Sequence, residues 1–232
     1  MGQTDLIHYL GEDWSRTKAL IHSMLHSDVQ LLSDINDSLL GNSGKMFRPM
    51  LTIAMARAAN GGVANDDTLR NAASVEILHN ATLLHDDVVD GASERRGLPT
   101  VFKLMGGGPA VLLGDYWLGK CIRRVLQARN VSFRVIRLYA DTLSHLAEGE
   151  LLQMEKAASG DTTQEDYLRI IYGKTASLFE LAGLTAAISV GAAEEVVSAM
   201  GDFARLLGVA FQIKDDIFDY QEEASAALGK PV

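Results

Sequence analysis

Two stretches of this chain carry three aspartates at the same spacing, and each follows a run rich in apolar residues. Asp86, Asp87 and Asp90 close the segment EILHNATLLHDDVVD, and Asp215, Asp216 and Asp219 lie in FQIKDDIFDY. The apolar residues ahead of both recur at helical intervals, and in a helix residues i and i+4 share a face. Asp86 then stacks over Asp90 and Asp215 over Asp219, with no cation at i±4 to neutralise either trio. Carboxylates gathered in this way raise one another's pKa unless positive charge joins them. Hard oxygen donors suit Mg2+, which binds a few carboxylates and keeps positions open for phosphate oxygens. One trio alone reads most simply as a solvated acidic helix face. Two with identical spacing point to two helix walls facing each other across a polynuclear magnesium site for a diphosphate.

The remaining composition narrows the class. No Pro/Ser-rich linker divides the 232 residues, so residues 1–232 read as a single domain. Hydrophobic content is 47% but aromatic content only 6%, the balance of an all-α helical bundle with an aliphatic core. Asp plus Glu number 30 against 21 Lys plus Arg, a net charge of −9 with no basic run, which argues against nucleic acid as a partner. Cys121 is the only cysteine, so no intrachain disulfide forms and a reducing compartment is expected. The start MGQTDLIHYLGEDW shows no signal peptide, and Leu6 stands where a myristoylation signal needs Ser or Thr. The longest near-apolar run, Leu181 to Ala193, is too short to span a bilayer. A soluble, cytoplasmic protein is expected.

Along the chain, helical periodicity predicts helices over Glu12 to His26, Val29 to Leu40, Asn65 to Asp90, Val111 to Ala128, Val131 to Ala157, Thr163 to Gly191 and Ala193 to Glu223. Pro49 fits the first turn of a further helix, with Lys45 and Arg48 at its mouth where an anion can be received. His79, Asp86 and Asp90 fall on one stripe. The loop GASERRGLPT brings Arg95 and Arg96 just past the first trio, and guanidinium groups suit bidentate phosphate contacts. Gly106 to Gly108 reads as a loop before a helix, since no strand precedes it. Gly173-Lys174-Thr175 mimics the end of a P-loop, but Leu168 stands where that motif needs glycine. No stretch alternates as a strand does.

Taken together, GKMFRP, EILHNATLLHDDVVDGASERRGLPT, GPAVLLGDYWL, YGKTA and FQIKDDIFDY resemble the trans-type polyprenyl diphosphate synthases, the farnesyl and octaprenyl diphosphate synthase family, in order and over nearly the whole chain. The resemblance implies an all-α bundle around a deep central cavity, a homodimer, and magnesium-assisted condensation of isopentenyl diphosphate with an allylic diphosphate such as farnesyl diphosphate. By motif, Asp86, Asp90 and Asp215 would bind magnesium, with Asp87, Asp216 and Asp219 in the second rank. Arg95, Lys174, Thr175, Gln212 and Lys230 would hold the allylic diphosphate, and Lys45, Arg48, His79 and Arg96 the isopentenyl diphosphate. Asp86, Asp90, Asp215 and Lys174 would carry the catalysis. Bulky residues just before the first trio shorten products in the family. Here Ala81 and Thr82 are small, which predicts a product beyond C20 and transient membrane contact at its release.

Met46 and Phe47 depart from the family's basic residue and leucine, and the sequence ends at LGKPV, before the family's last loop, lysine and helices. On this reading the C-terminal helices are missing, which bears on the activity of the chain. Three rivals remain at this stage: a non-catalytic relative of the same fold, a terpene cyclase, and a metal phosphohydrolase built on the His85-Asp86 doublet. Lys45, Arg48 and His79 argue against a cyclase, which needs no second diphosphate site. Six histidines offer no convincing ligand set for the hydrolase.

Overall fold

In the computed structural model, residues 3–42, 44–129 and 133–227 are described. Helix α1 (Gln3–Met24) begins well before Glu12 and is broken at Gly11, φ 53° and ψ −124°. Glycine reaches this backbone region without a Cβ clash. The break frees two carbonyls, and Arg57 takes both. Its Nη1 donates to Tyr9 O at 2.5 Å and its Nη2 to Leu10 O at 2.9 Å, while Nη2 also pairs with Asp13 Oδ2 at 2.6 Å. Helices α2 (Gln30–Gly41) and α3 (Phe47–Ala59) follow, with Pro49 in the first turn of α3.

Helix α4 (Asp66–Val89) is the centre of the bundle. Asn65 caps it: its side chain accepts from the Thr68 N–H at 2.9 Å while the Asn65 N–H donates to Thr68 Oγ1 at 3.3 Å. Asn65 Nδ2 also donates to Ser189 O at 2.7 Å, tying the start of α4 to the far end of the fold. Val75, Ile77, Leu78 and Ala81 are all fully buried, and they lie on different sides of the helix. A helix apolar all round belongs inside a bundle, and α4 packs on α1, α3, α6 and α9.

The loop after α4 folds into a small antiparallel hairpin, β1 (Glu94–Arg95) with β2 (Leu98–Pro99). Strands this short leave no alternation to read in the sequence. Arg96 and Gly97 at its tip both have positive φ, 55° and 76°, as a tight two-residue hairpin turn requires. Helix α5 (Val101–Met105) leads to α6 (Gly107–Val125), which takes in Gly107 and Gly108 rather than leaving them as loop. Helix α6 runs antiparallel to α4: His85 near the top of α4 meets Val111 O, and Ser74 O near its base accepts from Cys121 Sγ.

Helix α7 (Phe133–Ser159) precedes a segment expected as one helix but found in three parts. Helix α8 (Gln164–Ile171) passes through a wide π turn, Tyr172–Ala176, into α9 (Ser177–Ser189). Two glycines account for the irregularity. A Cβ on Gly173 would lie 2.6 Å from His145 O, and one on Gly149 would lie 2.7 Å from the Lys174 backbone N. Backbone thus meets backbone where α7 crosses the turn. Helix α10 (Glu194–Ala227) closes the described bundle, packed on α9 and the π turn. By length and composition its segment Glu194–Tyr220 is long and apolar enough to cross a bilayer, unlike the shorter Leu181 to Ala193 run. Here it is a bundle helix: at Gly183 and Gly208 a Cβ would meet Met200 O at 2.5 Å and Ala176 Cα at 2.7 Å.

Candidate active site

The upper half of α4, the hairpin, the lower part of α7, the π turn and α10 enclose a cavity of about 680 Å³. Asp86 enters from α4 and Asp215 from α10, so the two aspartate-bearing helices do line one space. Around them stand Lys174, Thr175 and Gln212, together with Arg48, His79, Arg95 and Arg96; Lys174 and Arg95 both act on Asp86, and Arg48, Arg96 and Arg95 on His79. Leu83, Leu118, Leu143, Leu146 and Leu151 make its apolar wall.

Lys174 and Thr175 owe their position to the π turn. Lys174 Nζ lies 3.1 Å from Glu150 Oε2 and donates to Gln153 Oε1 at 3.1 Å. Thr175 Oγ1 donates to Gln212 Oε1 at 2.5 Å, and Gln212 Nε2 donates in turn to Asp216 Oδ1 at 2.8 Å. Tyr167 OH also donates to Asp216 Oδ2, at 2.5 Å. Asp216 therefore holds neighbouring side chains and is absent from the cavity wall. Asp87 behaves alike: it is buried and accepts from Arg95 Nε at 2.8 Å, so it fixes Arg95. Asp90, at the end of α4, and Asp219 are exposed and also lie off the wall.

Arg96 Nη1 donates to Asn42 O at 3.2 Å, and its guanidinium fills the space a Cβ on Gly44 would need, 2.6 Å from its Cζ. Arg48 lies over the Phe179 ring at 4.9 Å, next to the Phe47–Phe179–Phe211 cluster, and its buried Nε has no hydrogen-bond partner. Lys45 is exposed and lies outside the cavity wall. Thr82 lines the cavity one turn below Asp86, with its hydroxyl donating to His79 O at 2.8 Å. Ala81 is buried in the core on the neighbouring face. Lys230 lies outside the described residues.

Electrostatics follow from this enclosure. Burial, then Glu150 nearby, pushes Asp86 up to about 6. Burial raises Asp215 as well, with Asp219 and Asp216 adding to it. Burial also raises Asp87, more than its bond to Arg95 lowers it. Burial brings Arg48 down to about 10, so it stays charged at neutral pH. Burial, reinforced by Arg48 and Arg96, holds His79 well below its usual value, so the ring is neutral and carries one N–H. Buried Glu76 is raised by desolvation and accepts from Asn80 Nδ2 at 3.1 Å.

Among the described residues no three acidic, histidine or cysteine side chains converge closely enough to hold a cation alone. The raised carboxylates Asp86 and Asp215 are hard donors on facing walls. They fit divalent cations completed by oxygens of a bound phosphate group, the mode in which Mg2+ is usually held. The same closed-cluster criterion leaves the His85-Asp86 doublet without a ligand set. His85 turns instead to Asp115, 3.3 Å away. Sequence reasoning passed over Glu150 on the wall and Gln153, which accepts from Lys174, because polar side chains on a mostly amphipathic helix read as solvated ones.

A family model described as polyprenyl synthetase matches residues 29–232. The chain is 37% identical over 220 residues to an octaprenyl diphosphate synthase of Haemophilus influenzae, covering 95% of this chain and 65% of that protein. It is 35% identical over 228 residues to an all-trans-nonaprenyl-diphosphate synthase of Rhodobacter capsulatus, covering 98% and 69%. Among solved structures, a decaprenyl diphosphate synthase from Rhodobacter capsulatus superposes with a TM-score of 0.89 at 39% identity, over 94% of this chain and 66% of that one. A polyprenyl synthase from Caulobacter crescentus, complexed with calcium and isoprenyl diphosphate, gives 0.88 at 35% identity, over 95% and 66%. The chain thus spans about two thirds of the length of these relatives.

Proposed function

The chain belongs to the polyprenyl synthetase family, and we propose that it joins isopentenyl diphosphate head-to-tail to an allylic diphosphate, giving an all-trans chain beyond C20. One observation carries the reading. A single cavity gathers carboxylates from two helices with several cations and hydrogen-bond donors and an apolar wall. Two anions and one growing hydrocarbon fit that arrangement.

Lys174, Thr175, Gln212 and Arg95 hold the allylic diphosphate, with Lys230 as a further contact. Arg48, His79 and Arg96 hold the isopentenyl diphosphate, and Lys45 stands outside the wall to receive it. Asp86 and Asp215 hold magnesium, with Asp90 and Asp219 beside them and Asp87 and Asp216 supporting from behind. When bound, magnesium supplies Lewis-acid stabilisation of the charge that builds on the departing diphosphate. Lys174 and Arg95 add fixed positive charge at the same place, so the carbon–oxygen bond breaks with its electrons going to the leaving group. The leucine wall keeps water from the allylic cation. Arg48 and His79 hold the second substrate so that its alkene adds to that cation. The proton lost in forming the new double bond passes to the released diphosphate, and no side-chain base is needed. That the Caulobacter relative is complexed with calcium and isoprenyl diphosphate supports a reading in which a divalent cation and a prenyl diphosphate are both bound.

The test is magnesium-dependent conversion of radiolabelled isopentenyl diphosphate with farnesyl diphosphate, read by chromatography of the products. Chains longer than C20 are expected. Asp86→Asn or Asp215→Asn should lower kcat by about 100-fold or more with the fold intact, the scale on which a charge-stabilising group is worth. Binding of both substrates without any product would instead favour a non-catalytic member of the family. A second copy of the chain is the protein partner implied, and sedimentation equilibrium would give twice the monomer mass.

A further inference from the structure

The end of the bundle opposite the diphosphate mouth carries a patch whose charge runs against that of the molecule. Two adjoining hollows there share Ser23 and Arg124. Arg16, Arg70 and Arg124 line the first, and Lys120, Arg123 and Arg124 the second, with His26 at the edge. Asp66 is the acid among the lining residues, and Arg16 neutralises it at 2.6 Å. Arg70 is paired with Asp67 at 2.7 Å. Arg123 and Arg124 show no ion pair among the described residues, and Arg124 is pushed below its usual value by burial and then by Arg70 and Arg123 beside it. Lys120, Arg123 and Arg124, close together on one helix and with no ion pair among the described residues, call for an anionic partner on a chain of net charge −9.

The position of the patch says which one. The mouth lies at the C-terminal end of α4 and the patch at its N-terminal end, about 30 Å away at 1.5 Å per residue. The cavity's apolar wall extends down α6 as far as Leu118, and Lys120, Arg123 and Arg124 continue the same helix below it. Leu126 is 52% exposed at the foot of α6, and Val63 is 60% exposed just before α4. Basic side chains flanked by exposed apolar ones match the headgroup zone of a bilayer, where each Lys or Arg strengthens attachment. The Debye length is about 8 Å at physiological salt, so the local patch outweighs the distant net negative charge.

We propose that Arg123, Arg124, Lys120, Arg70 and Arg16 form a docking surface for anionic lipid headgroups, which sets the floor of the prenyl cavity against a membrane. The choice of a lipid surface over another polyanion rests on the reading above, in which the product is a long hydrocarbon. The docking itself is measured without substrate.

The chain is co-sedimented with phosphatidylcholine vesicles and with vesicles containing about 30 mol % phosphatidylglycerol, at low and high salt. Binding is expected to the anionic vesicles alone and to be lost at high salt. Arg123→Glu with Arg124→Glu should weaken it by about tenfold or more, while Lys103→Glu with Arg137→Glu, away from the patch, should not. If the charge-reversed protein fails to fold, Arg123→Gln with Arg124→Gln serves in its place, with thermal melts as the control. Equal binding to neutral vesicles, or no loss in the patch variants, overturns the proposal. So does release of vesicles by inorganic phosphate at matched ionic strength, which marks a discrete phosphate site. Tighter binding to an oligonucleotide than to vesicles does the same. Loss of prenyl transfer with vesicle binding intact would count against the proposed reaction and leave the docking surface standing.

Discussion

Arg48 and Glu76 show how single charges set the site. Arg48 is half-buried against Phe179 with its Nε unpartnered, so it is ready to donate to an incoming oxyanion. A lysine keeps the charge but loses the planar fork. Arg48→Lys should therefore raise KM for isopentenyl diphosphate by about tenfold while leaving that for the allylic substrate nearly unchanged, a loss of about 1.4 kcal/mol in steady-state assays. Glu76 sits 3% exposed with a raised pKa. Its folded form holds the proton more tightly than the unfolded chain, so its contribution to stability is fullest below about pH 4.3 and is lost as pH rises through the folded value. Glu76→Gln removes that loss and keeps an acceptor for Asn80. The difference in Tm, variant minus parent, should grow more positive between about pH 4 and 8; a difference that shrinks would show that burial is not what raises this group. The two aspartate trios were visible in the sequence because their spacing repeats. The split of labour within them came from the motif resemblance and not from the spacing. Asp86 and Asp215 face the cavity whereas Asp87 and Asp216 hold Arg95 and Gln212, and only the rotation of each helix decides that.

At the scale of elements, helix periodicity gave the long segments and lost the irregular ones. The first part of α1 was hidden because Gly11 breaks the helical pattern ahead of Glu12, and the break is held by Arg57, distant in sequence. Arg57→Ala removes the donor to Tyr9 O and Leu10 O and leaves Asp13 unpaired. A loss of about 2 kcal/mol is expected in denaturant unfolding, since these are bonds to or from charged groups in a partly buried place. The π turn at Tyr172–Ala176 was illegible for a similar reason: a single Gly173 inside a helical pattern is compatible with an unbroken helix, and the cause is the approach of α7 at Gly149. Gly173→Ala drives a methyl group into His145 O, 2.6 Å away. It should cost about 1–3 kcal/mol by thermal melting and also lower turnover, because Lys174 and Thr175 ride on the same turn. A substitution that lowers Tm but leaves turnover untouched would separate the turn from the site.

For the whole molecule, the arrangement of helices around one cavity was legible as a class, and Thr82 is among the residues that line it. Thr82 lines the space below Asp86, so Thr82→Phe should shorten the product, measured by chain-length chromatography, without loss of fold. Ala81 is fully buried among core residues, so Ala81→Tyr should destabilise by about 1–3 kcal/mol through overpacking besides any shortening. The exposed Phe203, Leu206, Ile217 and Phe218 give α10 a broad apolar face beyond what α9 covers. The wide turn between α8 and α9 also fixes how this architecture can vary. It carries one residue more than helical pitch allows, so deleting a single residue from it would restore a regular helix with the downstream phase nearly kept, but would shift Lys174 and Thr175 along the turn and out of their places in the cavity wall. Length is locked there, whereas the connection at 160–163 is free to grow or shrink; insertions should be tolerated before Gln164 and eliminated between Tyr172 and Ala176.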